Sequence, residues 1–282
     1  METDAIRPID VRHRGRERVI CAWLADDVLV DCGPTSCLDE LLAGFGDRRP
    51  RALALTHIHL DHAGAAGTLV ERFPDLEVWV HELGVHHMID PTRLLASARR
   101  LYGDAMDELW GEFKPVPEAN VRELRGGEQV GPFEVAYTPG HASHHVSYLH
   151  TPSRTAFVGD VGGVRITPSS YILAPTPPPD IDVEAWQSSI DLVRAWQPAQ
   201  LAVTHFGMFE DVNEHLDRIS RTLATAAERA RTQDVDEFVR QTRAEIAAAG
   251  DPETAACYSV GAPLDQTYAG LARYWSKREM VQ

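Results

Sequence analysis

The sequence predicts an α/β fold with a mixed β-sheet, organised as one large domain over residues 1–210 with a helical cap over residues 211–282. Three observations predict it. Short apolar runs alternate with turn and helix signals in the first 80 residues, helical spacing replaces this pattern at about 83–118, and strand patterns resume near residue 121. With 44% hydrophobic residues, the chain can bury the core that such a fold needs.

The first half of the predicted sheet begins with a β-hairpin. The polar pair Asp26 and Asp27 separates two apolar runs, VICAWLA and VLVDCG, and supplies the turn. A helix CLDELLAGF follows, with Ser36 as its expected cap. Next come a strand ALALT, a polar cluster HIHLDH, a helix AGAAGTLVERF and a strand EVWV. Strands and helices in alternation are typical of α/β folds.

A helical insertion and a second group of strands follow. Residues 83–118 contain the helically spaced stretch LLASARRLYGDAMDELWGEF, which stops at PVP. The short runs VRELRGGEQV, FEVAYTPG, HVSYLH and TAFVGD predict antiparallel neighbours in a second β half. Residues 161–179 form a long proline-rich loop. The chain then predicts a helix VEAWQSSIDLVRAW, a strand QLAVTH and helices at about 211–249 and 262–278.

Composition narrows the classes of partner. The formal net charge of −15, from 42 acidic and 27 basic residues, argues against a nucleic-acid-binding surface. The 4 cysteines lack metal-finger spacing and are expected to be buried free thiols. No signal-peptide pattern or membrane-spanning apolar run is found, so we expect a cytoplasmic protein without a membrane partner.

Candidate ligand residues follow four of the predicted strands. ALALT precedes His57, FEVAYTPG precedes His141, TAFVG precedes Asp160 and LAVT precedes His205. Strand ends in α/β architectures meet at one sheet edge, where functional sites commonly lie. The sequence therefore predicts that these four side chains converge.

The residue types at these strand ends predict a site for two divalent metal ions. Imidazole and carboxylate ligands without a thiolate suit zinc, which we prefer, with iron or manganese as alternatives. Alternate residues of an extended segment point the same way, so His57 and His59 are expected to share one ion. The predicted ligands are His57, His59 and His141 for the first ion, Asp61, His62 and His205 for the second, and Asp160 as a bridge between the two.

The motif HxHxDH, together with TPGHASHH, FVGD and THFG, resembles the metallo-β-lactamase superfamily over about residues 19–210. TPGH and the bridging Asp160 look most like the glyoxalase II branch. The resemblance implies a four-layer αβ/βα sandwich with a binuclear metal site at one sheet edge. It also implies that Asp31 and His145 orient the ligands by hydrogen bonding.

The ligand set and the resemblance predict hydrolysis of an activated acyl bond, a thioester, ester or lactone, in a small-molecule substrate. Two metal ions would share a bridging hydroxide, with Asp61 and Asp160 as catalytic residues. One alternative is a mononuclear-iron persulfide (sulfur) dioxygenase, which the sequence does not dismiss. The second is a phosphodiesterase or ribonuclease, although only 44 residues separate Asp160 from His205, too few for the large insertion of the nuclease branch.

Substrate contacts are expected from residues close to the ligands. Arg165 and Tyr171 follow Asp160 in the long loop and could bind a carboxylate or a developing oxyanion. His144 can also reach the pocket, although an ordinary loop position is favoured. The C-terminal helices could shape the pocket or form a homodimer contact, and the sequence does not choose between these roles.

Other aromatic and histidine residues are expected to be structural. Aromatic residues at helical spacing in the insertion favour a core role over a lid contact, namely Tyr102, Trp110 and Phe113. Three histidines lack partners at ligand spacing and are also expected to be structural: His81, His86 and His87.

Overall fold

The framework of the computed structural model, which describes residues 6–280, is a pair of six-stranded β-sheets. The strands of the first sheet, in spatial order, are β1 (Ile6–Asp10), β2 (Cys21–Ala25), β3 (Val28–Val30), β4 (Ala52–Ala54), β5 (Glu77–His81) and β6 (Val121–Leu124). β1, β2 and β3 pair antiparallel and include the predicted hairpin, whereas β3 to β6 pair in parallel. The parallel strands therefore end at one edge of the sheet.

The second sheet is mostly antiparallel. Its strands are β7 (Gln129–Val130), β8 (Phe133–Tyr137), β9 (Val146–His150), β10 (Thr155–Phe157), β11 (Gln200–Val203) and β12 (Gly207–Phe209). They lie side by side in chain order, and only β10 and β11 pair in parallel. The chain between β10 and β11 contains the long proline-rich loop and one helix.

The strand positions correct one part of the sequence-based prediction. The sequence pattern assigns Val121–Leu124 to the second β half, but these residues pair in parallel with β5 and extend the first sheet. The helical insertion is the reason, because it provides the crossover that a parallel connection requires. The strand pattern also did not reveal β1 or the three-residue β12.

Eleven α-helices lie within residues 6–280. They are α1 (Leu38–Phe45), α2 (Leu60–Ala63), α3 (Ala66–Arg72), α4 (Glu82–Ile89), α5 (Thr92–Tyr102), α6 (Met106–Trp110), α7 (Val183–Ala195), α8 (Val212–Thr232), α9 (Val235–Ala249), α10 (Pro252–Gly261) and α11 (Leu264–Glu279). α4 to α6 form the predicted insertion, whereas the sequence pattern did not reveal α10. Ser36 does not cap α1, because its hydroxyl donates to the Leu109 carbonyl at 2.7 Å.

Alternating apolar side chains join these elements into four layers. Between the sheets, Trp23 and Trp79 of the first sheet contact Phe157 and Phe133 of the second, with ring centroids 6.2 and 5.9 Å apart. The outer face of the first sheet packs against α1, α3 and the insertion. The outer face of the second sheet packs against α7, α8 and α11. The order helix, sheet, sheet, helix is the predicted sandwich.

Two expectations from composition can be compared with the structure. The cysteines at 21, 32, 37 and 257 are all buried free thiols, as predicted. Across residues 6–280, none of the helices combines the length and the apolarity needed to cross a lipid bilayer.

Candidate metal centre

The candidate ligands lie just beyond the ends of four strands. His57 follows β4, His141 follows β8, Asp160 follows β10 and His205 follows β11. Because β10 and β11 are parallel neighbours, Asp160 and His205 leave the second sheet at the same edge.

A change of backbone direction divides the cluster HIHLDH into two parts. His57 and His59 precede α2, and His59 is its N-cap residue, with φ −62° and ψ 154°. Asp61 and His62 lie in the first turn of α2. The chain therefore presents two pairs of ligands in two directions.

The first ligand set consists of three imidazoles whose nitrogens converge. His57 Nε2 and His141 Nε2 each lie 3.0 Å from His59 Nδ1. Ligands bound tetrahedrally at about 2.0–2.1 Å from zinc lie roughly 3.3 Å from one another. The spacing of the three nitrogens therefore fits one metal ion.

The second ligand set lies beside the first. Asp61 Oδ2 is 3.7 Å from His62 Nε2 and 3.4 Å from His205 Nε2. Asp160 faces both sets, because its Oδ1 is 3.2 Å from His62 Nε2 while its Oδ2 is 3.3 Å from His141 Nε2. One carboxylate thus presents a separate oxygen to each set.

Hydrogen bonds at the far nitrogen fix how three of the imidazoles are oriented. In each ring Nδ1 bonds to an oxygen acceptor, which leaves Nε2 as the atom aimed into the site. The acceptors are Asp31 Oδ2 for His62 at 2.8 Å, the Pro175 carbonyl for His141 at 2.8 Å and the Val19 carbonyl for His205 at 2.7 Å.

Several inward-facing atoms have no hydrogen-bond partner within the described chain. His62 Nε2, His205 Nε2 and Asp160 Oδ1 are buried and unpartnered. Such atoms carry a free-energy penalty unless something satisfies them. A divalent cation would satisfy all three, so the residues present fit the metal ions that their types predict.

Asp31 links the two sheets behind the ligands. Its buried carboxylate accepts hydrogen bonds from the Thr56 amide at 2.8 Å, from His62 Nδ1 at 2.8 Å and from the Thr204 hydroxyl at 3.0 Å. Thr56 and Thr204 immediately precede the ligands His57 and His205. The carboxylate can therefore set the positions of ligands from both sheets.

His145 lies against the same ligands. Its ring stacks on His57 with centroids 5.1 Å apart, and its Nδ1 is 2.9 Å from the Thr138 hydroxyl. A Cβ atom at Gly159 would lie 2.7 Å from His145 Nε2, so the glycine before Asp160 is required for this close approach.

Burial keeps the first ligand set in the neutral form that binds metals. Desolvation lowers the pKa of His57 and His141, and it lowers the pKa of His59 to about 4. Neutral imidazoles bind a cation without first losing a proton.

The two imidazoles of the second ligand set have raised pKa values, in contrast to those of the first set. Desolvation opposes charge on His62 and His205, but the carboxylates of Asp160 and Asp61 outweigh it and raise the pKa of both rings. The histidines in turn outweigh desolvation of the two carboxylates and lower their pKa. Both aspartates are therefore ionised and available to a metal.

A cleft with a volume of about 750 Å³ opens over the ligands, and His59, Asp61, Asp160 and His205 line it. Its walls come from α5, α6, the proline-rich residues 175–180 and the chain between α10 and α11. The C-terminal helices thus shape the pocket. The volume is typical of sites for small molecules.

Two residues expected at the pocket lie elsewhere. Arg165 forms a two-point ion pair with Asp211, at 2.7 and 2.9 Å, and lies over the Phe209 ring. The Tyr171 hydroxyl donates to Glu245 at 3.2 Å. Neither side chain lines the cleft, because the loop turns both toward the C-terminal helices, which corrects the prediction.

The cleft contains His144, for which the sequence left both a pocket contact and an ordinary loop position open, and three residues that the sequence pattern assigned to structural roles. His144 lines it, and its Nδ1 accepts a 3.4 Å hydrogen bond from the Ile58 amide. His87, Tyr102 and Trp110 line it as well. Phe113, in contrast, is buried in the core.

The other two histidines of that segment lie away from the cleft lining. His81 caps α4 by accepting from the Leu83 amide, and its ring stacks on Tyr137 with centroids 4.3 Å apart. His86 is exposed on α4.

His13 is a cleft residue that sequence reasoning missed. It is only 2% exposed, stacks on Trp110 with centroids 5.3 Å apart and lines the cleft near Asp61. Arg12 and Arg14, its chain neighbours, both have left-handed backbones, with φ of 48° and 56°. Left-handed backbone at arginine is uncommon, and no sequence pattern signals it at the two residues that flank His13.

Comparisons with known proteins show the family of the chain. The model of the metallo-β-lactamase superfamily matches residues 25–205. A metallo-β-lactamase fold-containing protein of Sulfurisphaera tokodaii is 27% identical over 201 residues, which cover 68% of this chain and 74% of that protein. The hydroxyacylglutathione hydrolase GloC of Haemophilus influenzae is 30% identical over 124 residues, which cover 43% of this chain and about half, 55%, of that protein.

A solved structure gives the same result for the fold. A metallo-β-lactamase family protein from Thermus thermophilus superposes with a TM-score of 0.66 at 19% identity, covering 100% of this chain and 95% of that one. At this identity the likeness shows the fold alone.

Proposed function

Because this chain belongs to the metallo-β-lactamase superfamily, whose model matches residues 25–205, we propose that it is a metal-dependent hydrolase of activated acyl bonds: thioesters, esters or lactones. The observation that carries the proposal is the position of Asp160. Its Oδ2 faces His141 at 3.3 Å and its Oδ1 faces His62 at 3.2 Å, so one carboxylate joins two ligand sets. Two sets joined in this way suit a binuclear hydrolytic site.

The chain's own residues hold the reacting groups in place. When bound, two divalent cations polarise a substrate carbonyl and lower the pKa of water. Asp61 directs Oδ2 toward His205 at 3.4 Å, and its side chain stays 19% exposed. Since it also lines the cleft, its carboxylate can accept a proton from the attacking water. The reaction then requires no protein nucleophile.

A relative and the cleft support acyl chemistry. GloC is named for hydrolysis of a hydroxyacylglutathione, which is a thioester. Tyr102 and Trp110 form an apolar wall beside the candidate ligands and would limit the access of bulk water. We infer that zinc is the metal, with iron or manganese as the alternatives.

The alternative of a mononuclear-iron persulfide dioxygenase needs only one ligand set. Here a second set, formed by Asp61, His62 and His205, lies beside the first. A complete second set is what a binuclear hydrolase requires, and the dioxygenase is an outcome of the test.

The test is turnover by the full chain after metal removal and reloading with zinc, iron or manganese. The probes are hexanoyl-N-acetylcysteamine as a thioester, γ-butyrolactone, 4-nitrophenyl acetate and bis(4-nitrophenyl) phosphate. His205→Ala should lower acyl turnover more than about 100-fold, because a direct ligand matters at least as much as a ligand's hydrogen-bond partner. His86→Ala, at the exposed histidine on α4, is the matched control and should retain turnover.

Hydrolysis of any acyl probe, lost in His205→Ala and kept in His86→Ala, supports the proposal. Cleavage of the phosphodiester alone would contradict it. Oxygen uptake on glutathione persulfide with one iron per chain would also contradict it and would favour the dioxygenase.

A further inference from the structure

The charge around the cleft is opposite to that of the whole chain. The sequence has a formal net charge of −15. The cleft is nevertheless lined by four arginines: Arg14, Arg93, Arg100 and Arg273. Apart from the candidate metal ligands, Asp180 is the one carboxylate among the described residues that line it. Positive charge gathered around a cleft attracts anions.

Three of these arginines have no ion-pair partner among the residues that the structure describes. Arg14 lies 3.9 Å from Glu108. Within residues 6–280, no carboxylate lies within 4.0 Å of the guanidinium groups of Arg93, Arg100 and Arg273. These three guanidinium groups are therefore available to a ligand, although the chain has many carboxylates that could have paired with them.

α5 presents two parallel stripes of side chains to the cleft. Spacings of four and three residues put the members of each stripe on one face of the helix. The cationic stripe consists of Arg93 and Arg100 with Ser97 between them. The apolar stripe beside it consists of Leu94, Ala98 and Leu101. Arg93 and Arg100 lie roughly 10 Å apart along the helix axis.

The carboxyl end of α5 lies in the wall of the cleft that contains the candidate ligands. Tyr102 is the last residue of this helix, its ring centroid lies 5.0 Å from that of Trp110, and both side chains line the cleft together with Asp61. Arg93 is nine residues earlier, roughly 13–14 Å along the axis. The stripes therefore extend along the wall of the same cleft that Asp61 lines.

We propose that the substrate is an anionic acyl compound whose apolar chain lies along the apolar stripe and whose carboxylate or phosphate lies against Arg93 and Arg100. This inference rests on the proposed hydrolase function and narrows its substrate class. In the reaction, water adds to the acyl carbon, the carbon–sulfur or carbon–oxygen bond breaks, and the thiol or alcohol leaves with a proton from the water. The cavity of about 750 Å³ accommodates such an elongated molecule.

Matched thioesters test the charge requirement. Hexanoyl-N-acetylcysteamine is neutral, and adipoyl-N-acetylcysteamine carries a carboxylate on the acyl chain. Hexanoyl-4′-phosphopantetheine carries a phosphate on the 4′-hydroxyl of its thiol leaving group. We expect kcat/KM for at least one anionic probe to exceed that of the neutral probe by about tenfold or more. The preferred anionic probe distinguishes a carboxylate from a phosphate.

Substitutions on α5 assign the preference to its cationic stripe. The double variant Arg93→Gln/Arg100→Gln should lower the ratio of anionic to neutral kcat/KM roughly tenfold. Arg99→Gln is the matched control, because Arg99 is an exposed arginine of the same helix that does not line the cleft. It should leave the ratio unchanged.

Equal kcat/KM for the three probes, or a preference that survives the double variant at normal metal content, would overturn the inference. Calorimetric binding of adipate and of 4′-phosphopantetheine gives a readout that needs no turnover. Weaker binding in the double variant supports the anion site, and unchanged binding overturns it. Absence of all thioester hydrolysis would count against the proposed function instead.

Discussion

Replacing Asp31 with asparagine tests how the fold holds the metal centre. The substitution preserves size, and Asp31 has a φ of 53°, a left-handed conformation that asparagine tolerates. It removes the charge from a buried carboxylate that accepts hydrogen bonds from Thr56, His62 and Thr204. An amide nitrogen in the same place cannot accept the hydrogen bond from His62 Nδ1, so the ring would lose its fixed orientation.

The size of the effect follows from these contacts. Removing the hydrogen-bond partner of a metal-ligating histidine lowers metal affinity by about 10- to 100-fold, which corresponds to about 1.4–2.8 kcal/mol. A hydrogen bond to a charged group contributes a similar ~1.5–3 kcal/mol. Asp31 contacts His62 directly but reaches His57 only through the Thr56 hydroxyl, which lies 3.1 Å from His57 Nδ1. The second ligand set should therefore be weakened more than the first.

The assay is a competitive zinc titration of the metal-free chain against a chromogenic chelator. Asp26→Asn is the matched control, because Asp26 also has a φ of 53° and contacts a histidine, His150 Nε2 at 3.1 Å, but lies in the β2–β3 turn. We expect one weakened binding step in Asp31→Asn and none in Asp26→Asn. Two unchanged steps in Asp31→Asn would refute the role assigned to this carboxylate.

Two further substitutions probe segments that position the ligands. Arg165→Ala removes the ion pair with Asp211 and loosens the segment whose Arg165 amide bonds to the His205 carbonyl at 2.6 Å. The competitive zinc titration should therefore find metal affinity roughly tenfold lower. A raised KM at full metal affinity would contradict this. Gly140→Ala should lower the free energy of unfolding by about 2–5 kcal/mol in thermal denaturation, because its φ is 132° and a Cβ would lie 2.3 Å from the Trp186 nitrogen. Gly127→Ala, with φ 94° and open space, is the control for backbone strain alone, and equal losses would exclude the steric reason.

The sequence was most informative where short-range pattern determines structure. His57, His59, Asp61 and His62 fall within six residues, so local geometry alone brings them together. The hairpin at Asp26 and Asp27 has an equally local cause, the polar turn between two apolar runs. The remaining ligands follow strands, and the parallel pairing of β10 and β11 places two of them at one edge.

The parts that sequence reasoning missed depend on contacts between distant segments. Val121–Leu124 joins the first sheet by pairing with β5, whose paired residues lie 43 positions earlier in the chain, before the insertion. Arg165 and Tyr171 turn from the cleft because their partners, Asp211 and Glu245, lie on or beside C-terminal helices. His13 enters the cleft through a left-handed backbone, which no residue pattern predicts.

The most direct test of the binuclear site is the number of metal ions bound per chain, measured by elemental analysis of fully loaded wild type and Asp160→Asn. Because Asp160 faces both ligand sets, we expect two equivalents in the wild type and at most one in the variant. One equivalent in the wild type, or two retained in Asp160→Asn, would contradict a centre joined by this carboxylate.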